Sequence, residues 1–191
     1  MKLYRFNEQI NHEVGIIFSR LFNSLNTKLK EAGLKDDEIE SFTIFDRVRE
    51  DIETELVKLS LTTPYYKDAF VHNDSLQFDP TEINIVRDKI YDKYKFMCSP
   101  RTEFFARQCD FTGELMNAGW VVDDNTYIAS ELVLTNFLRQ ISDEPEVDKE
   151  LPDVELREKY YENDTFFYTE WNHCTDIMFA KFEGNTYRLT I

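Results

Sequence analysis

The residues able to act as nucleophiles, bases or metal ligands are few and scattered. The chain has three histidines, His12, His72 and His173, and three cysteines, Cys98, Cys109 and Cys174. A nucleophilic triad needs a Ser, Cys or Thr, a base, and a group that orients the base. Neither G-x-S-x-G nor H-E-x-x-H is present. His173 and Cys174 are adjacent, and neighbours in a strand point to opposite faces, so adjacency alone does not make them a dyad. The five glycines, at 15, 33, 113, 119 and 184, lie too far apart to cradle a phosphate. Carboxylates are plentiful. Asp123-Asp124, with Asp110 or Glu131, would offer hard oxygen ligands to Ca²⁺ or Mg²⁺, although EF-hand spacing is absent and Asp suits a turn on its own account. In Tyr168-Thr169-Glu170-Trp171 a carboxyl stands beside a large aromatic, an environment that raises a pKa toward general-acid use. More commonly such a Trp is core and its neighbour faces solvent. The expectation is a protein without catalytic residues, metal or cofactor.

Charge is the strongest compositional signal. There are 22 Lys+Arg against 37 Asp+Glu, a net charge of −15 over 191 residues. Hydrophobic residues at 42% and aromatics at 15% give enough apolar material for a packed core, so the chain is not a disordered acidic tail. A surface this acidic repels DNA, RNA and anionic lipid at long range, and no basic stripe offsets it. No apolar run is long enough to span a membrane or to serve as a secretory signal. Three sparse cysteines argue against a disulfide framework and for a reducing compartment, so the cytoplasm is the expected location. The acid is unevenly placed. Residues 1–98 carry 14 basic and 18 acidic side chains, whereas residues 142–176 alone carry 3 and 12.

The elements that must position these residues follow from hydrophobic period and punctuation. Ile10, Val14, Ile17, Leu21, Leu25 and Leu29 predict a helix over 8–32, stopped by Gly33. Ile39, Phe42, Phe45, Val48, Ile52, Leu56 and Leu59 predict one helix over 36–61. Residues 64–79 read as irregular. Asp79-Pro80 starts a third helix, with Ile83, Val86, Ile90 and Tyr94 as its stripe, which runs to Ser99-Pro100. After that the pattern becomes mixed. A strand is expected at 103–107, a tight turn at 109–113, and a hairpin from 119–122 through 123–125 to 126–128. A helix capped by Ser130 should cover 131–141. An acidic loop then leads into a short helix near 154–161. Strands at 166–170, 177–182 and 187–191 close the chain, with Glu183-Gly184-Asn185 as a turn. The fold class expected is α+β. A helical region, 1–98, packs as a layer on an acidic hairpin-helix-strand region, 99–191, within one compact domain.

Residues 107–134 carry a pattern. They read R-Q-C-D-F-T-G-E-L-M-N-A-G-W-V-V-D-D-N-T-Y-I-A-S-E-L-V-L. This resembles small bacterial and phage proteins that carry a treble-clef-like zinc module of unknown function. In those proteins C-x-x-C-G-x-x-M-N-x-G-[YW] precedes a hairpin and a helix start of the form Y-[FY]-C-S-E-x-C-L. Their tails carry Y-W-T-E-W, and Phe167-Tyr168-Thr169-Glu170-Trp171 looks similar. The resemblance spans about 107–171 and leaves the N-terminal helices unaccounted for. By this resemblance the four ligand positions fall on Cys109, Thr112, Ala129 and Val133. A tetrahedral zinc site needs four Cys or His ligands, and only Cys109 qualifies, unless Cys98, His173 or Cys174 folds in. The resemblance therefore implies a zinc-free relic, in which Ala129, Val133, Met116, Trp120 and Phe111 replace the metal by burial.

The functional expectation is a non-enzymatic acidic binding protein. Asp143, Glu144, Glu146, Asp148, Glu150, Asp153 and Glu155 would occupy a basic, nucleic-acid-handling surface of a partner protein. In its extended form this is an inhibitor encoded by a phage or mobile element, offering carboxylates where phosphates would sit. The simpler reading of the same acid is a solvated coat that keeps the protein soluble. Two alternatives remain. One is a self-assembling structural protein packed through the N-terminal helices, where Ile44 and Val57 lie off the main stripe. The other is a metal-dependent enzyme using Asp110, Asp123, Asp124 and Glu131.

Overall fold

The computed structural model describes residues 2–72, 78–123, 125–161, 163, 165–171 and 177–190. It has an α+β architecture, in which helices fill the first half and small antiparallel sheets with three further helices fill the second. The chain divides into two compact units, Met1–Thr102 with Thr190–Ile191, and Glu103–Leu189.

In the first unit the three-and-four spacing does what period 3.6 requires. Helix α1, Lys2–Glu31, buries Ile17, Leu21, Leu25 and Leu29 completely. The stripe expected for a single second helix is divided between α2, Asp36–Glu40, and α3, Ile44–Thr62. The break falls at Ser41, whose hydroxyl donates to the Glu38 carbonyl at 2.6 Å and so satisfies an orphan acceptor of the helix end. Ile39, Phe42, Phe45 and Val48 are all buried across the break. A spacing of three fits a tight turn as well as a helix, so the period concealed the interruption.

Residues 64–79 are not irregular throughout. Helix α4, Pro64–His72, starts on the proline that ends α3, because Pro at a first helical position loses no intrahelical hydrogen bond. Tyr66 is buried there beside Leu59 and Phe78. Its hydroxyl donates to the Glu82 carboxylate and accepts from the Asp79 N–H. Asp79 caps α5, Pro80–Lys93, by accepting from Thr81 N at 2.7 Å. That helix does not run on to Ser99. The backbone leaves helical geometry at Tyr94, and a separate turn, α6, covers Lys95–Cys98.

In the second unit the strand expected at 103–107 divides into β1, Glu103–Phe105, and β2, Arg107–Gln108. The Ala106 N–H between them donates to Asn117 Oδ1 at 2.8 Å instead of to a ladder partner. Strand β2 pairs with β3, Leu115–Met116. Strand β4, Ala118–Val122, is central to a three-stranded sheet between β5, Thr126–Ile128, and β6, Phe166–Glu170. Strand β1 pairs with β7, Ile177–Phe182, which pairs in turn with β8, Asn185–Thr190. Strand β8 begins two residues earlier than its apolar pattern suggested, because Glu183 (φ 48°) and Gly184 (φ 80°) make a two-residue turn.

Helix α7, Glu131–Ile141, starts as expected at Ser130, whose Oγ accepts from Val133 N. The acidic loop holds a helix that was not expected, α8, Pro145–Glu150, with its proline at the first turn, and the short helix expected after it is α9, Asp153–Tyr161. The core of this unit gathers Val122, Ile128, Leu134, Leu138, Leu156 and Phe166, with Trp120 and Val133 packed against it.

Candidate functional site

The seven acidic residues singled out by charge are placed in three different ways. Asp148 is not on the surface at all. It is fully buried, with 0% of its surface exposed, and this corrects its assignment to a docking face. Its Oδ1 lies 2.8 Å from Lys159 Nζ, and its Oδ2 accepts from Ser142 Oγ at 2.7 Å and from Tyr160 OH at 2.8 Å. The Lys159 and Ser142 hydrogen bonds, reinforced by Tyr160, hold the Asp148 carboxyl down at about 2. Hydrogen bonds to Asp148 and Glu144 in turn push the Lys159 ammonium up. A buried charge is tolerated only with such partners.

Glu144 and Asp153 stand at the edge of this network. Glu144 shares Lys159 at 2.9 Å, and Asp153 binds Arg139 at 2.7 Å. Arg139 also donates to the Leu151 carbonyl at 3.1 Å, and Arg157 pairs with Glu131 at 3.1 Å. The cations of α7 and α9 are thereby neutralised internally. Asp143, Glu146, Glu150 and Glu155 are exposed and make no hydrogen bond or ion pair among the described residues. Val147 and Val154, each 56% exposed, lie among them. The arrangement is two short acidic helices tied to the unit by one buried carboxylate, with Asp143 just ahead of α8, and Glu146, Glu150, Glu155 and Glu158 on the helices, left to solvent.

Composition showed the acid but not this division of labour. Ser142, Asp148, Lys159 and Tyr160 sit on α8, α9 and the residue ending α7, and no single helical or strand period signals that they converge.

The turn at 109–113 forms as expected. Gly113 N donates to the Cys109 carbonyl at 3.0 Å, and Gly113 supplies φ 70° to close the turn. Burial pushes the Cys109 thiol up, but hydrogen bonds from the Thr112 hydroxyl and from the N–H groups of Thr112, Phe111 and Ala129 outweigh it, and the thiol sits below its usual value. Positions 109, 112 and 129 thus meet around one sulfur. Val133 packs on the core instead. Met116 is buried, but Phe111 is 48% exposed, with its ring 5.1 Å from Phe137. Phe111 is therefore a lid on the turn rather than core.

The Glu170-Trp171 pair follows the commoner pattern. Glu170 is exposed, and Trp171 is half-buried with its ring 5.7 Å from Tyr127. Arg107 lies over both rings, at 5.1 and 5.9 Å. Among the described residues the alternative metal site does not assemble. Asp110 Oδ2 accepts from Tyr127 N at 2.6 Å, and Glu131 is turned to Arg157. Among the described residues no group of three or more His, Cys, Asp or Glu is arranged to hold a metal ion. Asp124, His173 and Cys174 lie outside the described residues. His12 is exposed on α1, and Cys98 is half-buried. Among the described residues no helix is long and apolar enough to cross a membrane. No family model, curated protein or solved structure matches the chain.

Proposed function

We propose that this protein is a non-enzymatic binding protein whose acidic face on α8 and α9 docks on a basic, nucleic-acid-handling surface of a partner protein in the cytoplasm. The observation that carries this reading is the set of partnerless carboxylates Asp143, just before α8, and Glu146, Glu150 and Glu155, on helices braced from beneath by Asp148. Fixed charge costs less ordering on association than charge on a loose loop. Rim charges of this kind set association rate and specificity. In the extended form the protein acts as an inhibitor from a phage or mobile element, a mimic of phosphate charge.

The test is capture of partners from cell lysate at low and at high salt, with the parent and with the quadruple variant D143K/E146K/E150K/E155K. The expected partner is basic, is retained by the parent at low salt, and is lost at high salt, because exposed charges are screened within about 10 Å at 0.1 M. The quadruple variant should lose at least about a hundredfold in affinity, since like-charge juxtaposition costs several kcal/mol. Its melting temperature should fall only slightly, because none of the four side chains makes a hydrogen bond or ion pair, while Glu146 and Glu155 lose only their favourable place in a first helical turn. Unchanged binding by the variant would sink the docking face. Recovery of the chain alone, at either salt, would favour self-assembly, for which Leu61 and Tyr65, exposed at 61% and 66%, offer apolar surface at the α3–α4 junction.

We also infer that the 109–113 turn works without zinc, as a relic of the module it resembles. Thr112, Ala129 and Val133 cannot replace thiolates, and Cys109 is supplied with hydrogen bonds where a metal would otherwise stand. Prolonged treatment with a strong chelator should leave the melting temperature unchanged, and elemental analysis of the purified protein should find zinc well below one equivalent.

A further inference from the structure

The Glu103–Leu189 unit contains 7 basic and 19 acidic residues, yet two of its arginines line the same cleft. This cleft, of about 360 Å³, is bounded by Arg107, Gln108, Asp110, Tyr127 and Arg188, with Cys109 and Phe179 on its wall. The two guanidinium groups differ in kind. Arg107 is positioned: it donates to the Ala106 carbonyl at 2.9 Å and stacks over Tyr127 and Trp171. Arg188 is exposed and makes no hydrogen bond, ion pair or ring contact among the described residues. Arg139 and Arg157 of the same unit each hold a carboxylate. An arginine left unpaired in so acidic a unit is poised for an anion from outside.

The other walls support the same chemistry. Asp110 Oδ2 accepts from Tyr127 N and Gln108 Nε2 donates to the Gly113 carbonyl at 2.9 Å, and neither side chain is hydrogen-bonded to Arg188. The Tyr127 hydroxyl has no hydrogen-bond partner among the described residues and is left as a donor. The free guanidinium of Arg188 and a phenol at the mouth of a cleft match the planar, bidentate demands of a carboxylate or phosphate.

We propose that this cleft binds a small oxyanion-bearing ligand, held at its carboxylate or phosphate by Arg188. The site is separate from the acidic face and does not depend on the docking reading.

The test is calorimetric titration of the full chain with inorganic phosphate, pyrophosphate and citrate, at ionic strength held constant with sodium chloride. The parent should bind at least one probe saturably. R188Q should weaken that binding at least about tenfold, equivalent to about 1.4 kcal/mol, and R188K should weaken it less. Arg188 makes no internal contact, so both variants should melt with the parent. Saturation by phosphate or pyrophosphate alone would assign a phosphate-bearing ligand, and saturation by citrate alone a carboxylate-bearing one. Absence of saturable binding by all three, or equal binding by R188Q, would overturn the proposal.

Discussion

Gly119→Ala should destabilise the Glu103–Leu189 unit by about 3 kcal/mol, near the top of the usual range for overpacking. A methyl group at this position would lie 2.6 Å from the Ile128 carbonyl oxygen, 3.0 Å from Met116 Sδ and 3.5 Å from Trp171 Cη2. The first of these is backbone and has no rotamer in which to retreat. Strand β4 is also held on both edges, with Trp120 opposite Ile128 and Gly119 opposite Thr169. A shift that relieved the clash on one side would stretch the ladder on the other. Alanine is otherwise the better strand residue, because it loses less backbone freedom. A loss of stability therefore measures the steric term against a bias toward stabilisation. Differential scanning calorimetry checks it: a variant that melts with the parent would show that β4 has room to move.

Asp148→Asn should lower the melting temperature by several degrees at pH 7 and by little at pH 2. The folded carboxyl titrates near 2, against 3.8 for the free side chain. Stability gained from a depressed carboxyl is fully present above the unfolded value and disappears as pH falls through the folded one. The window is thus about pH 4 down to pH 2. Asparagine keeps the size and can still serve Ser142 and Tyr160, so what it removes is the charge opposite Lys159. Melting curves of parent and variant across this window should converge toward the acid end. A difference that stayed constant from pH 7 to pH 2 would mean that shape, not charge, is what Asp148 supplies. The variant should also become more open to proteolysis across 142–152, since the brace under α8 is gone.

Much of the scaffold was legible because it depends on short-range rules. Ser130 and Asp79 announced helix starts through caps. Gly113 and Gly184 announced turns through the backbone geometry they permit, and the α1 stripe announced its buried face. The misreadings share a cause. Ser41, Pro64 and Ala106 each sit where a local signal fits more than one outcome: Ser41 turns back on the Glu38 carbonyl, Pro64 opens a new helix, and Ala106 N–H leaves the ladder for the Asn117 side chain. The acidic segment was legible as charge but not as structure. Whether a carboxylate is spent inside or left outside depends on Lys159 and Tyr160 reaching Asp148 from α9, a convergence that no spacing in the chain encodes. The Arg107–Arg188 cleft escaped notice for the same reason, since its two cations come from strands at opposite ends of the unit.

The chain has two tryptophans, Trp120 and Trp171, and both lie in the Glu103–Leu189 unit. Their emission is consequently a private channel for that half of the molecule. The long helices α1, α3 and α5 belong to the other unit and dominate the circular dichroism at 222 nm. Two ordinary spectroscopic signals thus weight the two units differently, without labels, since α7, α8 and α9 add only a minor share of the helix. Titrating one sample with urea while recording both reveals directly whether the units unfold as a single cooperative body or in sequence.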